Sequence, residues 1–357
     1  PKSYSSDWLP LHNHLNEKES NHNSEVELTA KNNLVPQFDL FNVPKSETKV
    51  FALDNLSKMA DHPLRYFYRN VLGLLYSNID SELDDSEPFS ISHLDSYQLK
   101  SELAQSWYSG NSQELSSQKV FDQWKLTDRF PRTPVDQFYF DDAEESIAQM
   151  RACIENYSDY TKVSIDLKFD SEEGCGVEQV VGELLTVGGT NQRLIELSLG
   201  KNIASRFFGF WVKHIFWNVH CAQKQGHENK GGLSGDSILI SIDRIWTLPA
   251  LTIDLAERYA REILVLFNGI ETQAFPFLPR CTFALLFEKE SQVKSAFKGV
   301  NIGGSVIQGE RDDPYWQRFC LFSESTVEHL NFEELPKLTD SVFYRQIFEI
   351  LDQIQVE

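Results

Sequence analysis

The chain has 357 residues, 41% of them hydrophobic, with 33 basic against 53 acidic side chains and a net charge of −20. That size and apolar content suffice for one large domain or two smaller ones, and 25 Phe, 12 Tyr and 7 Trp exclude disorder over most of the length. So acidic a chain argues against tight autonomous binding of nucleic acid, which needs a basic surface to release counterions; a local groove or a protein partner has to supply that charge.

Residues 1–50 are rich in Asn, Ser, Glu and Pro, with few apolar runs, and read as a partly mobile linker leading into a domain over 51–357. His12 and His14 have the spacing of strand ligands, but no further His or Cys lies nearby to complete a metal site. A helix is predicted from Asp54 to about Ala60. Asp61-His62-Pro63 then breaks and restarts it, with Pro63 in a first helical turn and Leu64, Phe67, Tyr68, Val71 and Leu72 as the apolar stripe. The acidic stretch 80–88 reads as a solvated connection. Helical spacing returns at Leu94, Tyr97, Leu99, Leu103 and Trp107, and again at Val120, Trp124 and Leu126, before Pro131 and Pro134 punctuate a loop.

Asp141 to Tyr157 reads as a helix with Ile147, Met150, Ile154 and Tyr157 inward. The period then changes to two: Val163, Ile165, Leu167 and Phe169 alternate with polar residues as in a half-buried strand. Val177–Val187 is a second strand, Gly188-Gly189-Thr190-Asn191 a hairpin turn, and Arg193–Leu199 a third strand. Ile203 to about Cys221 forms an aromatic-rich helix, Gly226–Gly235 a loop, and Ser237–Ile242 a fourth strand. Thr252–Asn268 is an amphipathic helix with Thr252 as cap. Phe275–Pro279 is a rigid connection, and Thr282–Lys298 and Ser341–Ile354 are further helices.

Several motifs resolve to packing or loops. Lys230-Gly231-Gly232-Leu233-Ser234-Gly235-Asp236-Ser237 is not a phosphate loop, because the lysine comes first and a strand follows. Neither a Gly-x-Ser-x-Gly elbow nor a His-Glu-x-x-His is present. His220-Cys221 lies at the end of an apolar helix, where packing outweighs a nucleophilic role. In Gly309-Glu310-Arg311-Asp312-Asp313-Pro314-Tyr315-Trp316, Asp312 or Asp313 is expected to cap the helix that Pro314 opens rather than to hold a metal. The five cysteines (Cys153, Cys175, Cys221, Cys281, Cys320) are widely spaced without a C-x-x-C, which favours reduced thiols over a zinc or iron–sulfur site. No apolar run reaches the roughly 18 residues of a membrane helix, and residues 1–20 carry no signal-peptide pattern, so a cytoplasmic protein is expected. A start at Pro1 leads us to expect a fragment of a longer polypeptide, monomeric in isolation.

Between residues 136 and 247 the predicted order is helix, three strands, helix, strand. That order suits a metal-dependent nuclease core, in which a carboxylate on the second strand and an acid-x-Lys on the third hold Mg²⁺ and support the attacking water. The corresponding positions here are Leu185, Glu196 and Ser198. Leu185 cannot ligate a metal and Ser198 carries no charge, so the expectation is a scaffold for binding rather than cutting, with no metal. Two alternatives stand beside it: an active nuclease whose site has migrated to Glu178, Glu183 and Glu196, and a purely structural scaffold.

The stretch Leu56–Tyr68, containing His62-Pro63-Leu64-Arg65-Tyr66-Phe67, resembles the motif that opens the nuclease-like domain of the exodeoxyribonuclease V gamma subunit (RecC) family. Glu87-Pro88-Phe89 with Leu94, Tyr97-Gln98 and Leu103, then Gly309–Arg318, and also Ser6-Asp7-Trp8-Leu9-Pro10, are similar to further family motifs, in order, over nearly the whole chain. The resemblance implies a mixed α/β (α+β) fold with a restriction-endonuclease-like core (α-β-β-β-α-β) and additional helices before and after. It implies a catalytically degenerate nuclease domain that supports DNA end unwinding and resection, strand guidance and subunit assembly in double-strand-break repair. Active relatives carry Gly-x-x-Asp and Asp-Tyr-Lys, which fall on Gly182–Leu185 and Glu196-Leu197-Ser198. The partners it implies are the beta (RecB) and alpha (RecD) subunits and duplex or forked DNA in the assembled complex, with no membrane. No cofactor is expected in this chain; Mg²⁺ and ATP belong to the partner subunits. Asp61-His62 stands where related two-subunit enzymes have a cluster-binding cysteine, so no iron–sulfur cluster is expected. Recognition of the recombination signal is placed mainly in helicase-like domains outside this chain.

Candidate DNA contacts are His62, Arg65 and Arg69, the two arginines four residues apart on one helix face, where they meet one phosphate path or pair with nearby acids. Tyr315 and Trp316 either stack on a base or pack in the core.

Overall fold

The computed structural model describes residues 50–75, 91, 93–108, 117–126, 130–131, 134–157, 159–169, 179–189, 191–199, 203–227, 233–242, 244–302, 305–322 and 341–356. These all fall in the unit Gln37–Glu357. Apart from Val50, the linker expected over 1–50 lies outside the described residues, as do the acidic stretch 80–88, the motif Glu87-Pro88-Phe89, Cys175, Glu178 and Lys230.

A short strand β1 (Val50–Ala52) leads into α1 (Leu53–Asp61), and His62 separates it from α2 (Pro63–Tyr66), which runs on as a π turn over Phe67–Val71. Helices α3 (His93–Tyr108), α4 (Ser117–Lys125), α5 (Val135–Ser146) and α6 (Ala148–Glu155) precede three strands, β2 (Thr161–Lys168), β3 (Gln179–Val187) and β4 (Gln192–Ser198). The long helix α7 (Ala204–His227) crosses to β5 (Leu233–Ser241), and β6 (Ile245–Leu248) follows. Then come α8 (Ile253–Ile270), α9 (Pro279–Phe287), α10 (Glu290–Lys298), the hairpin β7 (Gly299–Ile302) and β8 (Ser305–Gln308), α11 (Pro314–Phe322), α12 (Val342–Ile350) and β9 (Gln355–Val356).

The main sheet is mixed. β2 and β3 are antiparallel over their lengths, and β4 is parallel to β5 through the α7 crossover, as a parallel pair requires. β6 and β9 extend the sheet antiparallel beyond β5. β3 and β4 pair only at their turn, Thr186 with Leu194 and Val187 with Arg193, and then part; the freed edge of β3 takes β1 as a parallel neighbour at Gln179–Val181. Gly188, at φ +106, makes the turn between them.

Side chains alternate across the sheet, and the two faces have separate cores. On one face Ile165, Leu167, Val180, Leu184, Leu194 and Leu239 pack with α1, α7, α8 and α9. On the other, Val187, Ile195, Leu199, Ile238 and Ile240 pack against Leu103, Phe121, Trp124, Phe140, Ile147 and Met150 of α3–α6. This explains the sequence pattern strand by strand. β5 reads Ile238-Leu239-Ile240 because both its faces are covered. β2 alternates because Lys162, Ser164, Asp166 and Lys168 look into solvent. α7 is apolar around most of its circumference because it is the centre of its layer, with Phe207, Phe208, Phe210, Trp211, Ile215, Phe216 and Trp217 all fully buried. Each such side chain contributes about 1.5–3 kcal/mol on leaving water.

The structure departs from the sequence reading where a local break is not marked by Gly or Pro. The helix expected over Asp141–Tyr157 starts at Val135 and is interrupted at Ile147, whose N–H tightens to the carbonyl of Glu144, while the Ser146 hydroxyl bonds back to Ala143. Thr282–Lys298 is two helices broken at the extended Glu288 and Lys289. The break lets Phe283 and Phe287 pack on Phe207 and Trp246 while Val293 and Phe297 fold back into the same core. The helix from Ser341 ends at Ile350; Leu351–Gln353 tighten into a 3-10 turn, and β9 follows at Gln355–Val356. Leu233–Gly235 belong to β5 rather than to a loop, held by Trp217 Nε1 and Asn218 Nδ2 donating to the carbonyls of Ser234 and Gly235. Thr252 occupies the N-cap position of α8, but its side chain makes no capping bond. Leu126, read as part of an inward stripe, is 85% exposed.

Candidate functional site

The positions of the expected metal site lie where β3 and β4 part. A cleft of about 370 Å³ opens there, lined by Asp54, Lys162, Glu183, Leu185, Glu196 and Lys213 among others. Strand parity divides these side chains. Glu196 and Ser198 share the face of Leu194 and project toward α7, whereas Leu185 packs with the α3–α6 layer on the opposite face. Glu196 is engaged: Lys213 Nζ of α7 donates to its Oε2 at 3.0 Å. Ser198 is buried, its hydroxyl without a hydrogen-bond partner among the described groups. The residues present do not fit a Mg²⁺ site. One position has no donor atom, one is a neutral hydroxyl, and the single carboxylate is neutralised by a lysine. Among the described residues no cluster of three or more His, Cys, Asp or Glu is placed to hold a metal ion.

Behind Glu196, at the end of α1, Asp61 accepts a hydrogen bond from the Gly209 N–H at 2.8 Å. Its carboxyl is pushed up to about 7, first by burial and also by the neighbouring Glu196, against the opposing pull of the Gly209 N–H, Arg206 and Lys213. α1 crosses α7 closely here: a Cβ on Gly209 would stand 2.5 Å from Asp61 Oδ1 and 2.6 Å from Ser57 Oγ. Asp61 and Lys213 are the functional-type groups that sequence reading missed. The signal for Lys213 was its place as the one charge between Phe207 and Phe216.

A second locus joins the two most distinctive sequence motifs, 251 residues apart. His62 Nε2 lies 3.2 Å from Asp313 Oδ2, and Arg65 Nη2 lies 4.0 Å from the same oxygen. His62 Nδ1 accepts the Arg65 N–H and so caps α2, which assigns the proton to Nε2 and makes Asp313 its acceptor. Asp313 Oδ1 accepts the N–H groups of Tyr315 and Trp316, the capping expected of Asp312 or Asp313. Its carboxyl is held below the usual range because, although burial raises it, the bonds from His62 and Trp316 and the Arg65 charge outweigh that. Glu310 spends both carboxylate oxygens on the Arg280 and Cys281 N–H groups that open α9, at 2.7 and 2.8 Å. The motif Gly309–Trp316 is thus a double helix cap that fastens α9 and α11 to the start of α2.

Around this junction lies a hollow of about 590 Å³, whose lining includes His62, Arg65, Arg69, Arg280 and Tyr315. The structure therefore brings His62, Arg65 and Arg69 together with a third arginine, Arg280, that the sequence reading did not single out. It corrects the stacking role offered for Tyr315 and Trp316. Both are buried, at 5% and 6% exposure, Tyr315 beside Tyr68 and His62 and Trp316 against Phe319, so neither presents an open ring face to a base. Cys221 is also buried, its thiol pushed up to about 12 by burial, which suits packing and not nucleophilic attack. Among the described residues no helix is long and apolar enough to cross a membrane.

A family profile described as RecC C-terminal domain matches residues 48–290, which contain the whole of β1 to α9. Two curated relatives, both described as RecBCD enzyme subunit RecC, align with the chain. The Haemophilus influenzae protein is 21% identical over 348 residues, covering 96% of this chain and 28% of the relative. The Escherichia coli K12 protein is 22% identical over 307 residues, covering 80% of this chain and 25% of the relative. The chain thus spans about a quarter of the length of the curated relatives it matches.

Proposed function

The chain belongs to the RecC C-terminal domain family, and from that premise we propose that it is a non-catalytic, nuclease-like domain of a RecBCD-type (exodeoxyribonuclease V) complex, serving subunit docking and strand guidance in recombinational repair of DNA breaks. The elements α5/α6, β2, β3, β4, α7 and β5 follow one another in the order of a restriction-endonuclease-like core, which supports the fold part of this reading. The observation that carries the non-catalytic part is the Lys213–Glu196 ion pair with Leu185 on the far face of the sheet. A migrated site built on Glu183 and Glu196 finds no support, because Glu183 and Glu196 belong to opposite faces and Glu196 is already paired.

In this reading the partners are RecB- and RecD-type subunits in the cytoplasm, which supply the Mg²⁺ and ATP chemistry, and duplex or forked DNA is met in the assembled complex. The contacts nearest to hand are His62, Arg65 and Arg69, which share one hollow with Arg280. The net charge of −20 is the reason autonomous duplex binding is not expected.

The test is incubation of the purified 357-residue chain with linear duplex and Mg²⁺ or Mn²⁺, with a parallel thermal melt. No cleavage and no metal-dependent rise in Tm are expected. Cleavage that disappears in Glu196→Gln would overturn the proposal. Co-purification with a RecB-type subunit is expected as well, and its absence would remove the docking role.

A further inference from the structure

The hollow at the junction of the two motifs gathers arginines from distant parts of the chain. Arg65 and Arg69 come from α2 and its π turn, and Arg280 from the first turn of α9, more than two hundred residues along the chain. Arg280 is anchored by Nη1 donating to the Gln308 carbonyl at 2.8 Å, which leaves most of its guanidinium donors for another acceptor. Arg65 is half exposed and lies over the Tyr315 ring at 6.0 Å, which fixes where its charge can point.

The acids in the lining are each engaged in holding the fold, and among the described residues no ion pair joins them to Arg69 or Arg280. Glu310 is buried, with both carboxylate oxygens on the α9 N–H groups. Asp313 holds His62, stands 4.0 Å from Arg65 Nη2 and caps α11. Asp61 is turned to Gly209, and Asp312 lies beside Arg311. Apart from Pro279, Pro314 and Tyr315 the lining offers no large apolar side chain, so a peptide's apolar residues would find no seat there. An anionic group that needs only hydrogen-bond donors is the better match.

We propose that this hollow is a phosphate site that seats one backbone phosphodiester of a nucleic-acid strand, with Arg69 and Arg280 as its principal contacts and Arg65 beside them. The proposal rests on the strand-guiding reading above only for the source of the phosphate. It locates a place on an acidic domain where a strand is held, and the contact is to the backbone and so independent of base sequence.

The experiment is fluorescence anisotropy of a labelled single-stranded oligothymidylate titrated with the full chain at several salt concentrations. The proteins compared are the native chain, Arg69→Gln, Arg280→Gln and the remote control Arg151→Gln. Each of the first two variants is expected to weaken binding about tenfold and to reduce the slope of log K against log salt, by no more than about 0.7 because one phosphate is contacted. Arg151→Gln is expected to bind like the native chain. Inorganic phosphate should displace the oligonucleotide, and a polyglutamate peptide of equal charge should not. Native-like binding by both Arg69→Gln and Arg280→Gln, with unchanged urea midpoints, would overturn the site. Equal displacement by polyglutamate would make it a carboxylate site and overturn the phosphodiester assignment. Protection by inorganic phosphate without any oligonucleotide binding would assign it to a free phosphate and overturn the nucleic-acid source. None of these outcomes bears on the non-catalytic reading, which is decided by cleavage with Mg²⁺.

Discussion

Replacing Asp61 by Asn probes the crossing of α1 over α7 beside the expected metal position. In the folded chain the Asp61 carboxyl sits at about 7, against 3.8 ordinarily, first because it is buried and then because Glu196 is near. A carboxyl with a raised folded value takes up a proton on folding between those two limits. Stability is therefore full below about pH 4, falls as pH rises through about 7, and levels off once both states are ionised. The separation of the two values corresponds to about 4 kcal/mol against the ionised form. Asn keeps an acceptor for the Gly209 N–H, now at 2.8 Å, and carries no charge to bury. The Asp61→Asn variant is expected to match the native chain near pH 4 and to exceed it by about 2–4 kcal/mol at pH 8. Urea unfolding of both proteins at half-unit steps of pH reads this directly, since taking their difference removes the titration of every other group, and an unchanged m-value certifies the comparison. A native-minus-variant difference that stays flat from pH 5 to pH 8, or a variant less stable at pH 8, would refute the assignment of a buried, reluctantly ionised Asp61.

Gly209→Ala gains about 1 kcal/mol of helix propensity. It forces a Cβ to 2.5 Å from Asp61 Oδ1, so a net loss of about 2–3 kcal/mol is expected in the same urea assay; a stabilised variant would contradict the close crossing. Glu310→Gln leaves one of the two N–H groups at the start of α9 without a charged acceptor and is expected to cost about 1–3 kcal/mol, read as a lowered Tm. His62→Ala removes the cap of α2 and the bond to Asp313 and is expected to cost about 1–2 kcal/mol; a neutral result would mean that the two motifs are not fastened there. The double variant Leu185→Asp with Ser198→Lys rebuilds the residue types of an active relative, yet no Mg²⁺-dependent cleavage of linear duplex is expected. The new acid enters the α3–α6 layer while the new ammonium group is buried on the other face, and a cutting variant would overturn the strand register.

The sequence alone determined the elements whose pattern is set by simple burial. Period two marked β2, because one face of that edge strand is solvated, and a continuous apolar run marked β5, because both faces are covered. The Gly188-Gly189 turn, the capping acid before Pro314 and the break at Asp61-His62-Pro63 were legible because each depends on the chemistry of adjacent residues. Leu185 and Ser198 sufficed to raise the expectation of a nuclease-like scaffold without its metal ligands. The tertiary structure alone decided what depends on residues far apart in the chain. The faces of Leu185 and Glu196 follow from a register fixed by a two-rung hairpin, which spacing along either strand does not reveal. Lys213 reaches Glu196 from a helix, and Arg280 reaches Arg65 and Arg69 from across the domain, so no local motif contains either pairing. The breaks at Ile147 and Glu288 likewise answer to the cores they pack into rather than to Gly or Pro. Local signals report a backbone's own preferences, whereas the meeting of charges and the facing of strands are settled only when the two faces of the sheet are filled.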